Sequence, residues 1–130
     1  HNLIRAVRQT SDGKIWVGTE GGGINIFANG RVVQTITNAD GLTNNFITSI
    51  FESKEKEIWV GTLDGLNLIK NGRIQRLNES NRLAGSTIWA IEQTPDGAVW
   101  IGTAGGLSRW QNGNFTNFTV RSDGLPEGNS

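Results

Sequence analysis

The chain has 130 residues, a formal net charge of zero from 12 basic and 12 acidic side chains, and 35% hydrophobic residues. This balance excludes a chain that is disordered by composition and a basic protein that is drawn to nucleic acid or anionic membranes. The absence of cysteine excludes disulfides, thiolate metal sites and thiol catalysis, and no apolar run reaches the roughly 20 residues of a membrane span. Glycine is the unusual feature, because its 18 residues are about twice the average share of about 7%.

Short runs rich in Ile, Val, Trp, Phe and Thr alternate with Gly-containing turns, which is typical of β-strands. Asp12-Gly13 and Asn29-Gly30 between such runs predict tight hairpins, because glycine adopts a positive φ without steric cost. Near the start of the chain we therefore expect four strands, at Ile4–Gln9, Ile15–Thr19, Gly23–Ala28 and Arg31–Ile36.

The same pattern recurs twice further along the chain. The motif Trp-Val/Ile-Gly-Thr occurs at residues 16–19, 59–62 and 100–103, with spacings of 43 and 41 residues. Asn-Gly pairs follow each copy at residues 29–30, 71–72 and 112–113. Helical repeats of this length need apolar residues at intervals of three, four and seven, and the sequence lacks them. A period of about 42 residues with four strands per repeat predicts the blades of a β-propeller.

The order of these motifs resembles the two-component regulator propeller repeat: Ile-x-x-Val/Ile, Asp-Gly, Trp-Val-Gly-Thr, Gly-Gly-Leu/Ile, Asn-Gly and Asp-Gly-Leu. The resemblance covers the whole chain in three copies. It implies a multi-bladed propeller of the kind found in extracytoplasmic sensor regions of bacterial hybrid histidine kinases, and hence a periplasmic or extracytoplasmic location. The second copy departs from the pattern at Glu55-Lys56 and Asn81-Arg82, where we expect a different turn geometry.

We predict an all-β fold with three four-stranded blades. Blade 1 covers about 1–39, blade 2 about 40–81 and blade 3 about 82–122, and residues 123–130 form the interblade loop that leads to a next blade. Propellers close with roughly four to eight blades, so three blades form an open half ring. Closure by a head-to-tail homodimer of six blades is the favoured interpretation, and completion by the remaining blades of a parent propeller is the other. The missing initial methionine also fits a fragment or an engineered piece without a ligand of its own.

The recurring motif positions are interpreted as blade core, because a strictly repeated tryptophan favours packing between blades over a stacking platform for sugars or bases. These positions are Trp16, Gly18, Thr19, Trp59, Gly61, Thr62, Trp100, Gly102 and Thr103. Trp89 is different, because Arg5 and Thr48 stand at the equivalent positions of the other copies. We expect its side chain at the channel mouth or in a seam between blades, where it could contact a ligand.

In a blade of four antiparallel strands, the loops after the second and fourth strands lie on one face. Those loops and the channel supply the candidate ligand-binding residues Glu20, Asp40, Asn44, Asn45, Asp64, Arg82, Trp89, Asp123 and Glu127. Loops are commonly polar, so a solvated rim without a ligand is the competing interpretation.

The sequence predicts a binding or assembly module that is not an enzyme and needs no cofactor or metal. His1 is the only histidine, which leaves no persuasive nucleophilic triad, and no EF-hand-type calcium loop is present. The alternative is a carboxylate-based lyase or glycan-processing propeller that uses Asp40, Asp64 and Asp123 or Glu127. Two carboxyl groups within about 5–10 Å of each other would favour the enzyme. The expected partners are a second copy or further blades and a small-molecule or glycan ligand, without nucleic acid or membrane contact.

Overall fold

The alternating strands and turns of the sequence form three antiparallel sheets in a computed structural model that describes residues 3–77, 83–120 and 126–129. The first sheet contains β1 (Ile4–Gln9), β2 (Ile15–Thr19), β3 (Ile24–Ala28) and β4 (Arg31–Ile36). The second contains β5 (Ile47–Glu52), β6 (Ile58–Thr62), β7 (Gly65–Lys70) and β8 (Arg73–Leu77). The third contains β9 (Ile88–Gln93), β10 (Val99–Thr103), β11 (Gly106–Gln111), β12 (Asn114–Val120) and β13 (Pro126–Asn129).

Each sheet is one blade, and its strands lie side by side in the order of the chain. The prediction of an all-β fold with three four-stranded blades is confirmed. In blade 3 a fifth strand, β13, pairs antiparallel with β12. The blade boundaries themselves stay a prediction. The part of the chain that the structure describes contains no helix with the length and apolar character needed to cross a bilayer.

The hairpins between the third and fourth strands have the backbone that their Asn-Gly sequences predict. Both central residues have positive φ in each blade, with φ of 54° at Asn29 and 79° at Gly30 in the first. This is the type I′ turn, whose twist matches that of the strands that it joins.

The hairpins between the first and second strands share one hydrogen-bond pattern, including the second hairpin, where we expected a departure. In blade 1 the amide of Gly13 donates to the carbonyl of Thr10 at 2.9 Å. In blade 2 the amide of Lys56 donates to the carbonyl of Ser53 at 2.8 Å. The expectation is wrong here because Lys56 adopts the left-handed backbone itself, with φ of 63°. The other departure, at Asn81-Arg82, lies outside the described residues.

The apolar core lies between blades and not within one sheet. β1 contacts β5, and β5 contacts β9, so the first strands of the three blades are neighbours. One cluster joins blades 1 and 2 and includes Trp16, Ile24, Ile26, Ile36, Ile47, Ile50, Ile58 and Ile69. The second joins blades 2 and 3 and includes Trp59, Leu66, Leu68, Leu77, Ile88, Ile91, Val99 and Ile101. Full burial of one such aliphatic side chain contributes about 1.5–3 kcal/mol.

The glycine of the repeated motif sets how closely two blades approach. A Cβ atom added to Gly18 would lie 2.5 Å from Cγ2 of Ile47, and one added to Gly61 would lie 2.5 Å from Cγ2 of Ile88. Both isoleucines are fully buried and begin the first strand of the next blade. At these two positions only glycine leaves room for the neighbouring isoleucine.

Candidate functional site

The first strand of every blade contains one extra residue relative to its partner strand. In β1 the pairing passes from Ile4 opposite Thr19 directly to Ala6 opposite Gly18, and the same skip occurs in β5 and β9. The residues that this β-bulge leaves unopposed are Arg5, Thr48 and Trp89. A bulge releases a side chain from the regular alternation of the strand and re-aims it. The three blades therefore present three different side chains from one equivalent position beside the axis.

We call these three residues, together with Glu20, the axial bulge cluster: Arg5 contacts Trp89 and Glu20, and Thr48 holds the same bulge position on β5 between them. The guanidinium carbon of Arg5 lies 6.0 Å from the ring centroid of Trp89, which is within cation–π distance. Nη1 of Arg5 also lies 3.3 Å from Oε2 of Glu20. Trp89 is 49% exposed, so one side of its indole faces solvent. The cluster joins blade 1 to blade 3 across the intervening β5.

Thr48 occupies the bulge position of the middle blade. The residue is only 8% exposed, and its hydroxyl oxygen is buried without a hydrogen-bond partner among the described residues. A buried hydroxyl that lacks a partner costs free energy. The cluster thus combines a charged pair, a half-exposed indole and an unsatisfied hydroxyl.

Glu20 is held in place by the backbone on both sides of its loop. Its amide donates to the carbonyl of Leu3 at 2.9 Å, and the residue forms an isolated bridge with Phe46. The amides of Gly21 and Gly23 both donate to the carbonyl of Asn45, at 3.1 and 2.9 Å. The loop after β2 is therefore fixed against the segment that enters blade 2, and Glu20 is presented to Arg5 from a rigid base.

Three other predicted ligand residues stabilise the connection between blades 1 and 2. Oδ2 of Asp40 accepts a hydrogen bond from the amide of Thr37 at 2.9 Å, which caps the short 3-10 helix Asn38–Asp40. Oδ1 of Asn44 accepts from the amide of Phe46 at 2.8 Å. Oδ1 of Asn45 accepts from the amide of Asn38 at 2.7 Å. Their side chains bond to backbone within their own loop.

The remaining predicted ligand residues do not join the cluster in the described structure. Asp64 is exposed in the turn after β6, where its amide donates to the hydroxyl of Thr62 at 3.0 Å. Glu127 lies on β13, with its backbone opposite Thr119. Arg82 and Asp123 lie outside the described residues. Of the nine candidates, the structure brings Glu20 and Trp89 together, through Arg5.

Two of the three tryptophans of the repeated motif lie between blades. Trp59 is fully buried and meets Trp110 edge to face, with 5.8 Å between the ring centroids. Trp16 is 9% exposed in the seam between blades 1 and 2. Trp100 is half-buried on blade 3 and stacks on Phe118 at 6.0 Å.

The threonines of the motif close the loop that follows the second strand. Each hydroxyl donates to the carbonyl of a glycine that begins or directly precedes the third strand: Thr19 to Gly23 at 2.9 Å, Thr62 to Gly65 at 3.0 Å and Thr103 to Gly106 at 2.7 Å. The motif thus fixes the edge of the blade from which Glu20 projects.

Two clefts lie in the seams, with volumes of about 470 Å³ between blades 2 and 3 and about 410 Å³ between blades 1 and 2. Their linings are equivalent by the repeat, with Trp59 and Asn112 in the first where Trp16 and Asn71 stand in the second. A gap that recurs at each seam follows from the wedge shape of packed blades, so it does not by itself mark a ligand site.

The carboxyl groups with shifted pKa values lie in the hairpins at the opposite edge. A hydrogen bond from the hydroxyl of Thr10 lowers the pKa of Asp12, and one from Thr94 lowers the pKa of Asp96. A general acid needs a raised pKa, so these groups are suited to fixing a turn and not to donating protons. Within the described ranges, no three His, Asp or Glu side chains are placed to bind a metal ion together.

Sequence reasoning selected Trp89 but missed Arg5 and Thr48 as members of the same site. The available signal was that these three equivalent positions differ while the isoleucine before each is kept. The bulge that turns the three side chains out of the ladder depends on the pairing of two strands, and single-strand patterns do not reveal it.

The chain is similar in sequence and fold to known propeller proteins. Residues 1–21, 41–64 and 82–105 match the family model of the two component regulator propeller. The extracellular domain of a protein described as a hybrid two component system from B. thetaiotaomicron is 25% identical in sequence to this chain, with a TM-score of 0.82. The match covers 98% of this chain and 20% of the chain of that domain. The extracellular domain of a protein described as a one component system from the same organism is 21% identical to this chain, with a TM-score of 0.77. That match covers 92% of this chain and 18% of the other.

A more distant similarity is to a catalytically inactive variant of virginiamycin B lyase from Staphylococcus aureus, solved with quinupristin. It is 14% identical, with a TM-score of 0.74 over 95% of this chain and 43% of the lyase, and therefore supports the fold alone. Comparison with curated proteins gave no match. The chain spans about a fifth of the two extracellular domains named above. Since the family model matches more than half of its residues in three phased copies, the chain belongs to the two component regulator propeller family.

Proposed function

We propose that the chain is a non-enzymatic ligand-binding part of an extracytoplasmic sensor region, and that the axial bulge cluster contacts the ligand. The observation that carries the proposal is the half-exposed indole of Trp89, held 6.0 Å from the guanidinium of Arg5. The extracellular domains that the chain is similar to support the location outside the cytoplasm.

The chemistry of the cluster favours a short oligosaccharide. One side of an indole offers a flat apolar surface on which the apolar face of a sugar ring packs. The guanidinium of Arg5 donates hydrogen bonds, and the carboxylate of Glu20 accepts them, so the two groups together suit ligand hydroxyls. The side chains of this ion pair are 44% and 25% exposed, which leaves both within reach of a ligand. A ligand hydroxyl that reached Thr48 would also satisfy its buried oxygen.

The enzymatic alternative has less support among the described residues. The carboxylate of Asp40 caps a helix, and the carboxylate of Glu20 is paired with Arg5. The single histidine of the chain is His1, outside the described residues. These observations favour binding without catalysis.

Isothermal titration calorimetry of the chain with short neutral and uronate oligosaccharides measures the binding affinity and so tests the proposal. We expect Trp89→Ala to weaken binding about tenfold, which corresponds to a loss of about 1.4 kcal/mol. Val33→Ala is the matched control, because Val33 is 50% exposed on the outer strand of blade 1, and it should leave affinity unchanged. Arg5→Ala should also weaken binding, whereas Arg73→Ala on β8 should not.

Two results would contradict the proposal. The first is that no oligosaccharide binds to the folded chain. The second is binding that Trp89→Ala leaves intact but Asp40→Ala removes, since Asp40 lies in the connection between blades and not in the cluster. Circular dichroism of every variant confirms that the strands are retained.

A further inference from the structure

The cleft between blades 2 and 3, which we call the acidic cleft, differs in charge from its equivalent between blades 1 and 2. Its volume of about 470 Å³ lies within the range of about 300–1,000 Å³ that is usual for small-molecule sites. Three carboxylates line it, at Glu55, Glu57 and Asp96. Among the described residues that line it, Lys70 is the only base. The equivalent cleft is lined by one acid, Asp40, and one base, Lys56.

The bases beside the acidic cleft already have partners. Nζ of Lys70 lies 3.1 Å from Oε2 of Glu57, so this pair is neutral as a unit. Nζ of Lys54, in the hairpin between β5 and β6, donates to the carbonyl of Pro95 at 3.0 Å. Neither lysine is therefore placed to neutralise the other two carboxylates of the cleft.

Glu55 and Asp96 are held in position as charged groups. A hydrogen bond from Gln93 lowers the pKa of Glu55, and one from Thr94 lowers the pKa of Asp96, so both carboxylates are ionised at neutral pH. Among the described residues, no base forms an ion pair with either of them. Nε2 of Gln93 reaches Oε1 of Glu55 at 3.1 Å across the seam, which fixes the rim of the cleft.

The wall of the acidic cleft contains a buried donor that lacks an acceptor. Trp59 lines the cleft and is fully buried, and its Nε1 has no hydrogen-bond partner among the described residues. In blade 3 the equivalent Nε1 of Trp100 donates to the hydroxyl of Thr94 at 3.0 Å. Ser53 holds that position in blade 2, and its hydroxyl accepts from the amide of Glu57 at 3.1 Å instead. An oxygen atom of a ligand in the cleft would satisfy the indole nitrogen.

A second indole lines the same cleft. Trp110 is half-buried there, and Ile69 stands at the equivalent position of the other cleft. An indole attracts a cation that lies within about 6 Å of its ring centroid. The acidic cleft thus combines two ionised carboxylates, an aromatic wall and an unsatisfied donor, none of which follows from the wedge shape of packed blades.

We propose that the acidic cleft binds a small organic ammonium ion that also carries an oxygen acceptor, as an amino sugar or the amide of a basic amino acid does. The ammonium group lies against the carboxylates of Glu55 and Asp96, since charge-assisted hydrogen bonds are the strong ones. The oxygen accepts from Nε1 of Trp59. This site lies at the hairpin edge of the sheets, opposite the axial bulge cluster, and does not rest on the function proposed for that cluster.

Nuclear magnetic resonance of the ¹⁵N-labelled full chain tests the proposal, because each tryptophan gives its own indole N–H signal. The probes are glucosamine and the amide of N-acetyl-lysine, and glucose is the neutral control for the first. We expect an ammonium probe to shift the signals of Trp59 and Trp110 and to leave that of Trp16, in the other cleft, unchanged. Whichever of the two probes binds more tightly identifies the source of the ammonium group.

Variants then assign the binding to the carboxylates and the aromatic wall. Glu55→Gln should weaken binding by up to about fivefold, the upper range for an exposed ion pair. Glu92→Gln is the matched control, because it removes the same charge from an exposed residue of β9 that does not line the cleft. Trp110→Ile introduces the residue of the equivalent cleft and should also weaken binding. Trp89→Ala should leave it unchanged.

Several outcomes would overturn the proposal. Glucose that shifts the same signals as strongly as glucosamine would show that the charge of the cleft is not used. Equal shifts at Trp16 and Trp59 would mean that the probes enter any gap between blades. Equal weakening by Glu55→Gln and Glu92→Gln would reduce the effect to net charge, and no shift with either ammonium probe at millimolar concentration would leave the cleft without this ligand. Loss of binding in Trp89→Ala would place the probes at the axial bulge cluster.

Discussion

Gly61→Ala tests whether the motif glycine sets the spacing between blades. The added Cβ atom would lie 2.5 Å from Cγ2 of Ile88 and 2.5 Å from Oγ of Ser49. Carbon atoms in contact are normally about 3.5–4.0 Å apart, so the seam between blades 2 and 3 has to open by about 1 Å. Overpacking of this kind costs about 1–3 kcal/mol. We expect the free energy of unfolding to fall by that amount.

Gly102→Ala is the matched control, because it makes the same chemical change at the equivalent position of the next repeat. Its nearest neighbour is Ala90 at 3.8 Å, so no atom has to move. Replacing glycine by alanine at a compatible backbone stabilises by about 0.4–1 kcal/mol through the unfolded state. Gly102→Ala should therefore be neutral or slightly stabilising.

Urea unfolding followed by circular dichroism measures both variants against the parent chain. A lower midpoint for Gly61→Ala with an unchanged slope reports a change in stability and not in the compactness of the unfolded state. If the two variants lose equal stability, the argument from close approach fails, since they differ in the neighbour and not in the chemistry. A neutral Gly61→Ala would fail it too.

Three further predictions concern the hairpins and the seam between blades 1 and 2. The pKa values of Asp12 and Asp96 lie below their ordinary value of 3.8, so their stabilisation is complete above about pH 4 and is lost as the pH falls through the lower pKa of the folded state. The double variant Asp12→Asn/Asp96→Asn should flatten the decline of the thermal midpoint in acid, and an unchanged decline would refute this assignment. Lys56→Gly should raise the free energy of unfolding by about 1 kcal/mol, because it relieves a side chain from a left-handed backbone with φ of 63°; a loss of stability in urea would contradict the strain. Glu52→Ala removes two hydrogen bonds of 2.8 Å across the seam and should lower the free energy of unfolding by about 1 kcal/mol. The control Asp64→Ala, at an exposed residue, should be near neutral. Equal thermal midpoints for the two variants would show that these bonds add no stability.

The blades could be predicted well from the sequence because the pattern of each strand occurs in three copies. The bounds of β1, β2 and β4 agree with the expected ranges. β3 begins one residue late, at Ile24, where the loop from Thr19 to Gly23 is one residue longer than its equivalents from Thr62 to Gly65 and from Thr103 to Gly106. The amide of Gly23 donates to the carbonyl of Asn45 at 2.9 Å. That bond crosses to the segment that enters the next blade, so the pattern of one strand does not contain it.

The candidate site was predicted less completely, for a related reason. Loop residues such as Asp40 and Asn45 were selected for their polarity, but polar side chains in loops also serve the backbone nearby, as these two do. Glu20 differs because its loop is fixed by backbone bonds, which leaves its carboxylate to reach Arg5. A polar loop residue can bond to nearby backbone or project toward a ligand. The hydrogen bonds of the folded chain distinguish the two cases, and composition does not.

The positions where the three repeats differ fall into two groups with separate consequences. At the bulge, Arg5, Thr48 and Trp89 stand at one equivalent position, and the seams form around the isoleucine before it. A change there alters the surface at the axis and leaves the blade intact. At the packing positions, Arg109 stands on β11 where Ile26 and Leu68 are buried in the other two blades, and this change does not touch the first strands that carry the axial bulge cluster. The axial bulge cluster and the packing between blades therefore depend on different residues of the same repeat, so a variant at Trp89 should change the proposed binding without opening a seam, and a variant at Gly61 should open a seam without direct loss of a ligand contact.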